Sequence, residues 1–97
     1  MFIHVVLFVI KPKEVVRYRN DSLMWARCAR KSGGFLSYRT MKRHGYKDHY
    51  ASVYQWVKKA DHDCFMREYH DWLVSKSKAK VAVVDYFNLK QVDSLRL

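Results

Sequence analysis

A single proline and three glycines in 97 residues leave no room for a flexible linker or a low-complexity segment, and no internal repeat is visible. Acidic side chains are scarce: 9 Asp and Glu stand against 19 Lys and Arg, a formal net charge of +10. Long apolar runs are missing too. Val5 to Ile10 is the longest, whereas a helical bilayer span takes about 20 residues. Met1-Phe2-Ile3-His4 has neither the basic region nor the cleavage site of a secretory leader, so a cytoplasmic protein is expected, with no membrane partner. Cysteine is limited to Cys28 and Cys64, both inside expected helices and outside any metal-ligand spacing, which predicts reduced, mostly buried thiols. The five histidines show no such spacing either, and no metal site is expected.

What is present describes one folded domain over residues 1–97. Hydrophobic residues make up 49% and aromatics 15%, which excludes a disordered chain, and the length allows no second core. The basic residues are scattered rather than massed: Arg17 and Arg19, Arg30 and Lys31, Lys42 and Arg43, Lys58 and Lys59. They fall mostly at element ends and on polar helix sides. That is the pattern of a solvated surface, with an anionic partner left open.

Phe2 to Ile10 reads as a strand apolar on both faces, closed by Pro12. From Glu14 to Lys31 the period becomes helical, with Val15, Tyr18, Ser22, Trp25, Ala26 and Ala29 as the inward stripe and Gly33-Gly34 as the stop. Phe35 to Lys42 and Tyr50 to Val57 are strands joined by the turn at His44 to Asp48. A second helix starts at Asp61 or Asp63, with Phe65, Met66, Tyr69, Trp72 and Leu73 as its buried stripe, and Val81 to Leu89 is the last strand. The order β-α-β-β-α-β with right-handed crossovers predicts an α+β, ferredoxin-like plait with a four-stranded antiparallel sheet. Both helices then cover one face. At ~25 cal/mol per Å² of apolar surface, an open face of several hundred Å² would forgo many kcal/mol. A second copy packing sheet to sheet is expected, giving a homodimer.

Gly33-Gly34-Phe35-Leu36-Ser37-Tyr38, then a strand ending Tyr54-Gln55-Trp56, then a helix a few residues on, resembles the antibiotic-biosynthesis-monooxygenase-like group of the dimeric α/β-barrel superfamily. The resemblance covers nearly the whole chain. Its opening Ile3-His4-Val5-Val6-Leu7-Phe8 with Lys11-Pro12 is similar to the stress-responsive A/B barrels. The resemblance implies a dimeric α/β barrel with a cavity between sheet and helices, and cofactor-independent oxidation of polycyclic phenols to quinones as one activity. Haem degradation is another activity of the superfamily. Its strand-one Asn is absent here, its helix-two Trp aligns with Phe65, and His70 has no clear equivalent as a haem ligand, so haem is disfavoured and no cofactor is expected. Trp56 matches the pocket Trp of the quinone-forming enzymes. Ser52 stands where they have Asn, and His62 where they have Tyr.

The catalytic set implied in this way is His62, Trp56 and Ser52; Tyr54, Tyr69, His70 and Trp72 are the substrate-binding set. Ser52, Tyr54 and Trp56 share one strand face by the period of two. The aromatics would hold a small aromatic substrate, Ser52 would hydrogen-bond its oxygen, and an imidazole, titrating near ~6.5, is a suitable base. Each has a structural reading as well. Trp56 also fits a core aromatic, Tyr54 a satisfied core phenol, Ser52 a small strand residue, His62 a solvated helix start, and Tyr69, His70 and Trp72 plain helix packing. His4, alone on an apolar face, reads as a satisfied structural histidine. Two rival functions share the fold. One is a non-catalytic, small-molecule-binding or stress-related barrel. The other is an RNA-recognition-like domain with Tyr50, Tyr54 and Trp56 as its platform, although Asp48 to Val53 lacks the basic residue and Gly that open its strand-three motif.

Overall fold

In the computed structural model, which describes residues 1–96, β1 (Phe2–Val9) runs through the middle of a four-stranded sheet. It pairs antiparallel with β3 (His49–Trp56) on one side and β4 (Ala82–Lys90) on the other, and β2 (Phe35–Lys42) flanks β3, giving the order β2-β3-β1-β4. Pro12–Glu14 forms one 3-10 turn that feeds α1 (Val15–Lys31); α2 (Lys59–Lys76) connects β3 to β4. This is the α+β, ferredoxin-like arrangement that the element order predicts. Among the described residues no helix is long and apolar enough to cross a membrane.

Cross-strand pairing sorts the side chains by face. Phe2 lies opposite Trp56, His4 opposite Tyr54, Val6 opposite Ser52 and Phe8 opposite Tyr50, all on the helix side. The core forms there from Phe2, Cys28, Ala29, Tyr54, Trp56, Phe65 and Leu73. The other face carries Ile3, Val5 and Leu7 opposite Gln55, Val53 and Ala51. A platform for single-stranded RNA needs its strand-one and strand-three aromatics on that open face. Tyr50, Tyr54 and Trp56 all point the other way, which removes the RNA-recognition reading.

Several boundaries and burials differ from expectation. α2 begins at Lys59, so Asp61 sits in its first turn and neither it nor Asp63 is the cap. The chain leaves β3 abruptly because the Val57 N–H donates to Gly34 O at 2.7 Å, and the Asp61 N–H closes a turn onto Lys58 O. Gly34 is needed at that junction: its φ is +81°, and a Cβ there would overlap the Asp61 carboxylate. Trp72 is not on the buried stripe of α2. Leu73 and Phe65 point inward, and Trp72, about 100° round the helix from Leu73, is 50% exposed. Cys28 is buried, but Cys64 is only half-buried, with its Sγ 3.5 Å from Glu68 Oε1. β4 is exposed along its whole length, because neither helix reaches across it.

Candidate functional site

A cavity of about 690 Å³ lies between the helix-facing side of the sheet and the two helices. β1 supplies His4, Val6 and Phe8; β3 supplies Ser52, Tyr54 and Trp56; α1 adds Tyr18, Ser22 and Trp25; α2 adds His62, Phe65, Met66 and His70. Val83 and Tyr86 of β4 form its open side. Of the residues singled out by sequence, Ser52, Tyr54 and Trp56 line the cavity from the sheet side, and His62 and His70 line it from α2. Tyr69 and Trp72 do not line the cavity. Tyr69 packs on the Phe65 ring at 5.7 Å, and the rotation of α2 that buries Leu73 carries Trp72 to the surface.

Two groups of polar atoms interrupt the apolar wall. The first is a hydroxyl cluster. Tyr18 OH lies 2.5 Å from Ser52 Oγ, Tyr38 OH lies 3.1 Å from the same oxygen, and Tyr38 OH reaches Thr40 Oγ1 at 2.8 Å. Ser22 Oγ donates to the Tyr18 carbonyl at 2.8 Å, which anchors the turn of α1 that presents the phenol. Burial pushes the Tyr18 phenol well above its ordinary 10, and the neighbouring Tyr38 adds to the shift while the bond to Ser52 opposes it. Burial acts on Tyr54 in the same direction, reinforced by Tyr38 and Tyr18. These phenols stay protonated, so they donate to an oxygen without carrying charge.

The second group is a pair of imidazoles one strand row away. The His4 and His62 rings are 4.6 Å apart, and His62 also packs against Phe2 at 5.1 Å and Trp56 at 6.2 Å. His4 Nδ1 lies 2.6 Å from Asn88 Oδ1, and His62 Nδ1 lies 3.0 Å from Asp63 Oδ1. Burial lowers the His4 pKa from 6.5; the bond to Asn88 opposes this, and the nearby His62 adds to it. Trp56 is fully buried, and among the described residues neither its Nε1 nor His62 Nε2 has a hydrogen-bond partner. Orphaned buried donors and acceptors are uncommon, and two of them border this cavity.

The segment after α2 crosses the cavity and is tied down by acids. Asp21 accepts from the Lys78 and Ala79 N–H groups at 3.0 and 2.8 Å, Glu14 accepts from the Lys80 N–H at 2.9 Å, and the Trp25 indole donates to Ser77 Oγ at 2.9 Å. Backbone N–H of Lys80, with Arg17 beside it, holds the Glu14 carboxyl below its usual 4.5. Tyr18 stands on the expected inward stripe and Tyr38 in the family motif, but neither they nor Asn88 and these acids are expected at the site from sequence. For Tyr18 one signal exists: a phenol four residues before Ser22 on an otherwise apolar helix stripe. Among the described residues, no three His, Cys, Asp or Glu side chains gather as a metal-binding group.

No family model matches the chain, and no curated protein matches it by sequence. Solved structures do. A Deinococcus radiodurans protein described as an antibiotic biosynthesis monooxygenase aligns with a TM-score of 0.79 over 100% of this chain and 98% of its own, at 12% identity. SnoaB, a cofactor-independent oxygenase from Streptomyces nogalater, aligns at 0.74 over 97% and 95%, at 9% identity. MupZ from Pseudomonas fluorescens aligns at 0.73 over 90% of this chain and 69% of its own, also at 9%. The chain thus has the fold of the antibiotic biosynthesis monooxygenase-type proteins.

Proposed function

We propose that this chain is a cofactor-independent oxygenase acting on a flat phenolic aromatic held in the cavity. The observation that supports it best is the distribution of polar atoms in the cavity. Two groups stand out among them: a proton-accepting imidazole pair and, one strand row away, a neutral hydroxyl cluster. Rows on one strand face are about 6.7 Å apart, close to the span of an aromatic ring with oxygens at opposite ends. Trp56 and Tyr54 form the stacking surface, an imidazole takes the phenolic proton, and the Tyr18–Ser52 hydroxyls stabilise oxyanion charge. His62 is the imidazole that the resemblance points to, and its ring packs on His4 at 4.6 Å, so the two imidazoles act as one pair. The phenolate gives electrons to dioxygen; one oxygen atom ends in the new quinone carbonyl and the other in water. In an oxygen electrode with anthrone as the probe, uptake of one dioxygen per anthraquinone formed is expected. A loss of about a hundredfold is expected in the Trp56→Phe, His62→Ala double variant. Uptake that survives the double substitution rejects this assignment.

One observation favours binding without catalysis. Ser52 Oγ is already engaged by both Tyr18 and Tyr38, so a ligand oxygen has to displace one of them. Anthrone that binds without oxygen uptake identifies that role instead.

The reading includes a homodimer. Phe87 and Leu89, 43% and 50% exposed, extend the open face of the sheet beside Val5 and Ile3. Covering it with a second copy would bury apolar surface that otherwise stays in water. Light scattering at moderate salt is expected to give twice the 11.7 kDa chain mass. A stable monomer rejects the dimer.

A further inference from the structure

The two imidazoles of the cavity differ in which nitrogen is free. A carboxamide oxygen only accepts, so the 2.6 Å contact with Asn88 Oδ1 places the His4 proton on Nδ1. The lone pair of the neutral ring is then on Nε2. Among the described residues that nitrogen has no hydrogen-bond partner, and it is not one of the sealed polar atoms, as His62 Nε2 is. His4 also lines the cavity wall, opposite Tyr54 across the β1–β3 pair, with the ring centres 6.3 Å apart. We propose that His4 is the proton-accepting residue of the cavity and that Asn88, 84 residues away in sequence, is the positioning residue that fixes its tautomer.

The proposal rests on the reading that the cavity takes a phenol, and it names the base of that same site. A ligand hydroxyl lies against Nε2; its O–H bond breaks, an Nε2–H bond forms, and a phenolate faces an imidazolium. Asn88 Oδ1 keeps accepting from Nδ1–H, and that bond strengthens when the ring becomes charged. The groups facing His4 are Tyr54 from β3, Asn88 from β4 and His62 from α2, with Asp63 behind His62. No carboxylate among them touches the ring. In the empty cavity burial keeps His4 neutral, which is the state a base requires, and the phenolate itself supplies the counter-charge when the proton moves.

Two measurements on the full chain test this, and neither reads oxygen. Long-range proton–nitrogen NMR is expected to show His4 protonated at Nδ1. Asn88→Asp should retain that tautomer, and Asn88→Ala should release it to a mixture. An Nε2-protonated His4 in the unsubstituted protein overturns the proposal. In the second, 4-nitrophenol is mixed with the protein below the phenol's own pKa, and its phenolate absorbance is read. The bound, ionised fraction should fall at least tenfold in His4→Gln and hold in Glu68→Gln, an exposed position of α2 outside the cavity lining. Equal ionisation in His4→Gln overturns the proposal, as does absence of the phenolate band in the unsubstituted protein. Phenolate formed by His4 without any oxygen uptake from anthrone rejects the oxygenase and keeps the base. Uptake that survives His4→Gln does the reverse.

Discussion

Trp56→Ala is expected to lower the unfolding free energy by about 3–5 kcal/mol, the range for truncating a fully buried aromatic. The indole has no solvent exposure and stands between Phe35 and Phe65, each with its ring centre 5.3 Å away, where β3, β2 and α2 converge. Alanine would remove those contacts and extend an existing cavity, which the surrounding side chains cannot collapse to fill because the sheet rows are fixed by pairing. A domain of this size has about 5–15 kcal/mol in total, so the variant approaches the unfolding limit. Trp56→Phe behaves differently. The indole N–H has no partner among the described residues, so phenylalanine orphans nothing there and loses only volume. Urea unfolding of the two variants provides the check. A loss below about 1 kcal/mol in Trp56→Ala would show that the indole is not what joins the sheet to α2.

The same residue shows how far the sequence could be read. The row Ser52, Tyr54 and Trp56 is local information, since alternation in one strand puts all three on one face. The β-α-β-β-α-β order and the apolar β1 likewise follow from patterns within short windows. What was not legible depends on which elements meet. Tyr18 and Ser52 are 34 residues apart, and His4 and Asn88 are 84 apart; only the sheet register and the seating of α1 bring them together. Trp72 illustrates the converse failure. On a helix with apolar residues at 65, 66, 69, 72, 73 and 74, the inward direction is ambiguous by a residue step, and packing against the core chose Leu73. Asp21 and Glu14 look like ordinary surface acids until the backbone of residues 78–80 is laid across them. A stretch with few acids nevertheless spends two of them on holding one wall of the cavity.

Alkaline titration is expected to unfold the protein rather than ionise its tyrosines one by one. Tyr18 and Tyr54 have folded-state pKa values raised above 10 by burial, and Tyr38 beside them adds repulsion once any phenolate forms. In the unfolded chain both phenols ionise near 10. Above that pH the unfolded state binds fewer protons than the folded one, so stability falls as pH rises. The contribution is fully present below about 10 and is lost through the window that ends at the raised folded values. Phenolate absorbance should therefore show the two phenols lagging and then appearing together with the loss of ellipticity. Tyr18→Phe should weaken the pH dependence, and it should cost about 0.5–1.5 kcal/mol at neutral pH, the net worth of one hydrogen bond, since Tyr38 still pairs the Ser52 hydroxyl. Seven tyrosines titrating in one step near 10, with the fold intact, would mean that the hydroxyl cluster is open to water and that the cavity has no dry end in which to hold an oxyanion.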